Sequence, residues 1–208
     1  LLKAFGQLYA RTWDVSELVN VAHNIEAKLL HTPTGTQDYF PAACPGLNAI
    51  EYSAAGFRLE PLTCDINFFK DHMFLVYTGK PHQSGINNWQ VIKDAVEKKS
   101  GILDSLRGLA EVSQQTKEVC VSGTWEKFPE LLREEYRLRT QLSAAFVSPE
   151  IVALEKLALR EGAEAVKICG AGGGGCVMIW CPPETKNKVA ARCQAQGFQV
   201  LQVSPVSG

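Results

Sequence analysis

Between Gly170 and Gly175 five of six residues are glycine: Gly170, Ala171, Gly172, Gly173, Gly174 and Gly175, with Cys169 and Cys176 at the ends. Apolar, β-prone runs flank the tract, residues 165–169 before it and Cys176–Trp180 after it. Each has the length and side chains of a buried strand. The chain must therefore hold a strand–loop–strand unit whose loop has lost nearly every side chain. That loss lets backbone N–H groups reach an anion, or lets another loop pack closely on the backbone. A simple hairpin without a ligand stays as the alternative, although it needs only one or two glycines and each further one costs conformational entropy.

Three well-known glycine loops are excluded by context. Gly170-x-Gly172-x-x-Gly175 has the spacing of a dinucleotide fingerprint, but that motif opens a helix whose N-terminus holds the pyrophosphate. Here the next residues, Cys-Val-Met-Ile-Trp, form a strand pattern. Val177 extends the match to the protein-kinase loop, which needs a whole catalytic domain after it. Too little chain follows. A Walker A loop ends in Gly-Lys-Ser/Thr, which is absent.

The rest of the chain alternates helical and strand patterns. Asp14 and Glu17 form a helix-start signal before Leu18, Ala22, Ile25 and Leu29, so 15–30 is an amphipathic helix. Prolines 33, 41 and 45 with Gly35 and Gly46 break the next stretch, inside which Gln37 to Phe40 starts a short helix. Strands are expected at 47–53, 57–62 and 73–77, and helices at 86–98, 102–119 and 125–144. Ser148-Pro149 is a helix start, and Gly162 suits the C-terminal cap. Strand 165–169, the glycine loop, strand 176–180, helix 184–196 and strand 199–203 then complete the tail of a ferredoxin-like α+β sandwich. A domain change is expected near 62–69, dividing the chain into 1–65 and 66–208. Trp89, Trp125 and Tyr136 are expected in the core or in helix packing, with a sugar-stacking platform as the alternative.

Composition removes several functions. Net charge is −1, which leaves no electrostatic footprint for nucleic acid or an anionic membrane. No apolar run approaches the roughly 20 residues of a membrane span. No signal peptide is visible. The seven cysteines form no CxxC and sit mostly in apolar stretches, as reduced thiols of a cytoplasmic protein do. The four histidines lack metal-ligand spacing. Residues 1–10 form a helix pattern with no N-cap, so the natural protein is expected to extend upstream. Oligomeric state is open.

The stretch Val166-Lys-Ile-Cys-Gly-Ala-Gly-Gly-Gly-Gly-Cys-Val177 resembles the third sequence motif of the GHMP (galactokinase, homoserine kinase, mevalonate kinase) superfamily. Thr34-Gly-Thr-Gln-Asp-Tyr-Phe-Pro-Ala-Ala43 is similar to the G-x-x-D-Q-Y-A-A segment of its sugar and heptose-phosphate kinase branch. Glu134 to Ser143, continued by Ser148-Pro149-Glu150, resembles the helical run before the glycine loop. The resemblance covers almost the whole chain.

It implies an α+β, GHMP kinase-like fold: a ferredoxin-like C-terminal sandwich plus the remnant of an N-terminal domain. It implies ATP-dependent phosphorylation of a sugar or sugar phosphate, with ATP and Mg²⁺. Asp38 then faces the substrate hydroxyl as general base or orienting charge; the alternative is an Asp that caps a turn. Glu26, 12 residues earlier, then helps hold Mg²⁺, which takes one or two carboxylates; the alternative is a solvated helix residue. Thr78, Gly79, His82 and Ser84 form a polar loop placed for substrate contact, with a solvated loop as the alternative. Gly170 to Gly175 line the nucleotide phosphates. The family's second motif, a phosphate loop at a helix N-terminus, is absent and is expected upstream of Leu1. The chain alone is therefore expected to be inactive. A non-catalytic ligand-binding or regulatory relative is the other reading.

Overall fold

The computed structural model of the protein describes residues 1–32, 34–81 and 84–207, with backbone alone for 84–87. It divides into two compact units, one of Leu1–Leu62 with the chain end from Val206, the other Thr63–Pro205.

The first unit contains α1 (Leu2–Leu8), α2 (Val15–Leu30), α3 (Tyr39–Ala43), β1 (Leu47–Ser53) and β2 (Gly56–Leu62). The Glu17 N–H donates to Asp14 Oδ1 at 2.7 Å, which starts α2 where the D-x-x-E signal predicts. Strands β1 and β2 pair antiparallel from Leu47↔Leu62 to Ser53↔Gly56. Leu18, Val19, Phe40 and Ala43 form the small core, and Phe40 meets Phe57 edge-on at 4.7 Å. The apolar stripe of α2 is only half used. Leu18 is buried, yet Ile25 is 47% and Leu29 73% exposed, and beyond Ala22 the helix meets the loop before α3 and α3 itself through the polar side chains of His23 and Glu26.

The second unit contains α4 (Ile66–His72), β3 (Met73–Tyr77), α5 (Ser84–Val96), α6 (Ile102–Ser122), α7 (Phe128–Leu142), α8 (Pro149–Glu161), β4 (Ala165–Ile168), β5 (Cys176–Trp180), α9 (Pro183–Ala195) and β6 (Gln199–Val200). Strand order is β4-β5-β3-β6, antiparallel throughout. This is the β-α-β-β-α-β arrangement of the ferredoxin-like fold, as the sequence pattern predicts. Period-2 alternation sends Phe74, Val76, Val166, Ile168, Val177 and Ile179 to one face, where Ile151, Leu154 and Ala158 of α8 and Val189 of α9 bury them.

Helix α8 follows its sequence signals at both ends. Ser148 accepts the Ile151 N–H at 3.3 Å, and Gly162 closes the helix in the left-handed region at φ 116°. Helix α4 is not predicted by the sequence pattern. Its seven residues carry too few turns to show a period. It forms because Asp65 accepts the Asn67 N–H at 2.9 Å and because Phe68 and Phe69 join Trp125, Phe128 and Trp180 in an aromatic cluster. Trp125 and Tyr136 pack as expected. Trp89 is 52% exposed on α5 instead.

Two expectations follow. Ser148→Ala should cost about 1 kcal/mol, the usual value of a lost N-cap, read as a lower urea midpoint. Burial pushes the Cys181 thiol up to about 12 and those of Cys120 and Cys193 to about 11. At pH 8 these three should resist a disulfide reagent until the chain is denatured. Their contribution to stability is complete below the unfolded value near 9 and is lost as pH rises through 11 to 12. Rapid labelling of all three in the folded protein would contradict this burial.

Candidate functional site

The glycine loop begins where β4 and β5 stop. One further rung, Cys169 N–H to Cys176 O at 3.0 Å, extends the hairpin. Beyond it the loop is docked against two other segments. The Gly173 N–H donates to Phe146 O at 2.9 Å, in the turn before α8. The Gly175 N–H donates to Lys80 O at 2.7 Å, in the loop after β3. Two glycines are dictated by this approach. A Cβ on Gly172, where φ is 71°, would lie 2.6 Å from Phe146 O. A Cβ on Gly174 would lie 2.6 Å from Lys80 O and 2.9 Å from Pro81 O. Of the two uses of missing side chains weighed above, close packing by other loops is the one seen at Gly172–Gly175.

This docking explains Thr78. The residue is 6% exposed, its N–H and its hydroxyl both donate to Gly175 O, at 3.0 and 2.9 Å, and it ties β3 to the loop. The expected ligand-facing threonine is therefore a buried one that holds the loop in place. Gly79 is exposed, with φ 81° and open space around it. His82 lies outside the described residues, and Ser84 opens α5 with its side chain outside them.

A charge cluster stands at the root of the loop. Glu135 of α7 is 9% exposed, and its Oε1 accepts from Lys167 Nζ and Arg139 Nε, each at 2.7 Å. A buried carboxylate is tolerable when cations and hydrogen bonds replace its water. Arg139 also lies over the Phe146 ring, 5.9 Å from its centroid. Arg139 stands at i+4 from Glu135 on the same helix, but no local signal marks the pairing of Glu135 with Lys167, which lies 32 positions away. On the outer side, Ser148, its own backbone N–H and Lys80 hold the Glu150 carboxyl below the usual range.

The first unit carries the other predicted residues. Asp38 is exposed at the head of α3 and makes no capping hydrogen bond to that helix. Glu26 is exposed on α2, and its Oε2 accepts the Tyr39 phenol O–H. Partial burial first, then that hydrogen bond, raises the Tyr39 phenol above its ordinary value. His23 Nε2 meets Thr34 O at 3.1 Å, and Thr36 Oγ1 meets the Tyr52 phenol oxygen at 2.9 Å, so the loop before α3 is tied to α2 and β1. Asp38 and Glu26 thus share one local frame within this unit. The glycine loop belongs to the other.

Residues 116–199 match the family model of the GHMP kinases C terminal. Over 206 residues the chain is 24% identical to the D-glycero-alpha-D-manno-heptose 7-phosphate kinase of Campylobacter jejuni, covering 95% of this chain and 59% of that one. Among solved structures, L. major mevalonate kinase in complex with R-mevalonate matches with a TM-score of 0.76 at 15% identity, over 99% of this chain and 63% of that one. A D-glycero-D-manno-heptose 1-phosphate kinase from Bacteriodes thetaiotaomicron matches at 0.72 and 21%, over 99% and 57%. The chain thus spans about six-tenths of the length of these relatives.

Packing at the loop has a measurable consequence. Gly170 has φ 65° but open space, so Gly170→Ala should cost roughly 1–2 kcal/mol of backbone strain. Gly172→Ala adds the clash with Phe146 O to similar strain and should cost roughly 1–3 kcal/mol more. Urea midpoints compare them, and equal midpoints would exclude the tight docking.

Proposed function

We propose that this chain, which carries the C-terminal domain of the GHMP kinases over residues 116–199, is the later part of an ATP-dependent kinase. It phosphorylates a hydroxyl of a sugar or sugar phosphate by direct in-line transfer. The observation that carries this reading is the pairing of two carboxylates in one frame: Asp38 without a cap to serve, and Glu26 tied to the next residue by Tyr39. Similarity to a heptose-phosphate kinase over 95% of the chain favours a phosphosugar acceptor.

In this reading Asp38 accepts a hydrogen bond from the substrate hydroxyl, aligns its oxygen with the phosphorus and takes its proton as the bond forms. Glu26 suits Mg²⁺ in kind. It is an oxygen ligand, and its bond to Tyr39 engages Oε2 alone, leaving acceptor capacity for a hard cation. Among the described residues no group of three or more His, Cys, Asp or Glu could hold a metal. One or two carboxylates plus phosphate oxygens is the usual way Mg²⁺ is held. When bound, Mg²⁺ neutralises phosphate charge. The glycine loop, with Gly173 and Gly175 already bonded to protein carbonyls, serves as a rigid wall beside the phosphates rather than as their main cradle. The role proposed for Gly79, His82 and Ser84 is contact with the substrate. The exposed apolar residues Ile25, Leu29 and Leu30 of α2 support an additional segment of the whole protein over this face. The chain by itself is then inactive.

The test is Asp38→Asn in the full-length protein, assayed for ATP consumption with heptose and hexose phosphates. Turnover should fall by about 10²–10⁴-fold, the range of a lost general base, while ATP binding persists. Turnover at the parental rate would refute the role of Asp38.

A further inference from the structure

We infer that Tyr39 is a positioning residue of this site, whose phenol holds the Glu26 carboxylate in the orientation needed to meet a divalent cation. The inference rests on the metal role proposed above for Glu26.

Glu26 is exposed near the end of α2. A free glutamate in that position samples several rotamers, and fixing one costs side-chain entropy. Tyr39 has fewer torsions and a firmer base. It is half-buried, and the next residue, Phe40, is fully buried against the Phe57 ring at 4.7 Å. The rigid partner therefore sets the position of the mobile one. A phenol O–H donated to a carboxylate is charge-assisted and directional. It engages only Oε2 of Glu26. Carboxylates that bind metals are commonly held in this way by an outer hydrogen bond.

The placement also couples the two carboxylates. Asp38 and Tyr39 are adjacent at the start of α3. One backbone segment thus places the group facing the substrate hydroxyl and anchors the group facing the cation. A displacement of this segment moves both.

Tyr39→Phe in the full-length protein tests the idea, since it keeps the ring and removes the O–H. Half-saturating Mg²⁺ should rise about 10-fold, the lower end for a lost outer hydrogen bond, with kcat at saturating Mg²⁺ nearly unchanged. Mn²⁺ binding in the presence of a non-hydrolysable ATP analogue, followed by paramagnetic resonance of free Mn²⁺, should weaken by the same factor. Glu26→Gln is the control. If Glu26→Gln weakens both metal responses and Tyr39→Phe weakens neither, the positioning role is wrong and the proposed metal ligand stands. If neither variant moves them, the metal role of Glu26 fails, and this inference with it. If Tyr39→Phe lowers the melting temperature and kcat but leaves metal dependence alone, the hydrogen bond merely staples α2 to α3 and the inference is overturned.

Discussion

Two backbone hydrogen bonds, Gly173 N–H to Phe146 O and Gly175 N–H to Lys80 O, bring three segments of the second unit to one place. They require carbonyls to approach so closely that no side chain fits on Gly172 or Gly174. The strand pairs β3–β5 and β4–β5 supply the frame, and Thr78 locks β3 to the loop through Gly175 O. The start of α8 follows directly after the Phe146 turn, so helix, hairpin and the loop after β3 are positioned together. The glycines serve this junction. Their backbone freedom permits the approach, and the hydrogen bonds make it specific.

Around that junction the second unit divides its chemistry between two faces of one sheet. One face is apolar and packed by α8 and α9. The other carries Lys167, which reaches across to Glu135 and shares it with Arg139. Removing Glu135 would leave two partly buried cations without their counter-charge, which is why such clusters are costly to break. The cluster stands beside the loop, and Arg139 over Phe146 connects it to the turn that accepts from Gly173.

The first unit has a different logic. Its core is small, and much of the apolar face of α2 is exposed. Order near Asp38 comes instead from specific polar contacts: His23 to Thr34, Thr36 to Tyr52, and Tyr39 to Glu26. These tie Thr34, Thr36 and Tyr39, at and before the start of α3, to α2 and β1. The uncapped Asp38 stands out in this setting, since an aspartate at a helix start ordinarily bonds to that helix.

Much of this was legible in the sequence. Regular elements with strong local signals, α2 with its Asp14 cap, α8 with Ser148 and Gly162, and strands β1, β3 and β5, lie where periodicity and capping chemistry put them. So does the ferredoxin-like order of the second unit, since alternating strands and one-sided helices leave few ways to bury their apolar faces. The glycine pattern carries a resemblance to a GHMP motif, and it lies within the residues 116–199 that match the family model of the GHMP kinases C terminal. Helix α4 was not legible, because aromatic packing from distant residues makes it. Nor were the Glu135–Lys167 pair, the burial of Thr78 or the Tyr39–Glu26 bond, because each joins residues whose separation along the chain carries no periodic mark. Local signals are written in neighbouring residues and survive in sequence. What the glycine loop touches, and which carboxylate is tied and which is uncapped, depends on chain closure in space, and only the tertiary structure decided it.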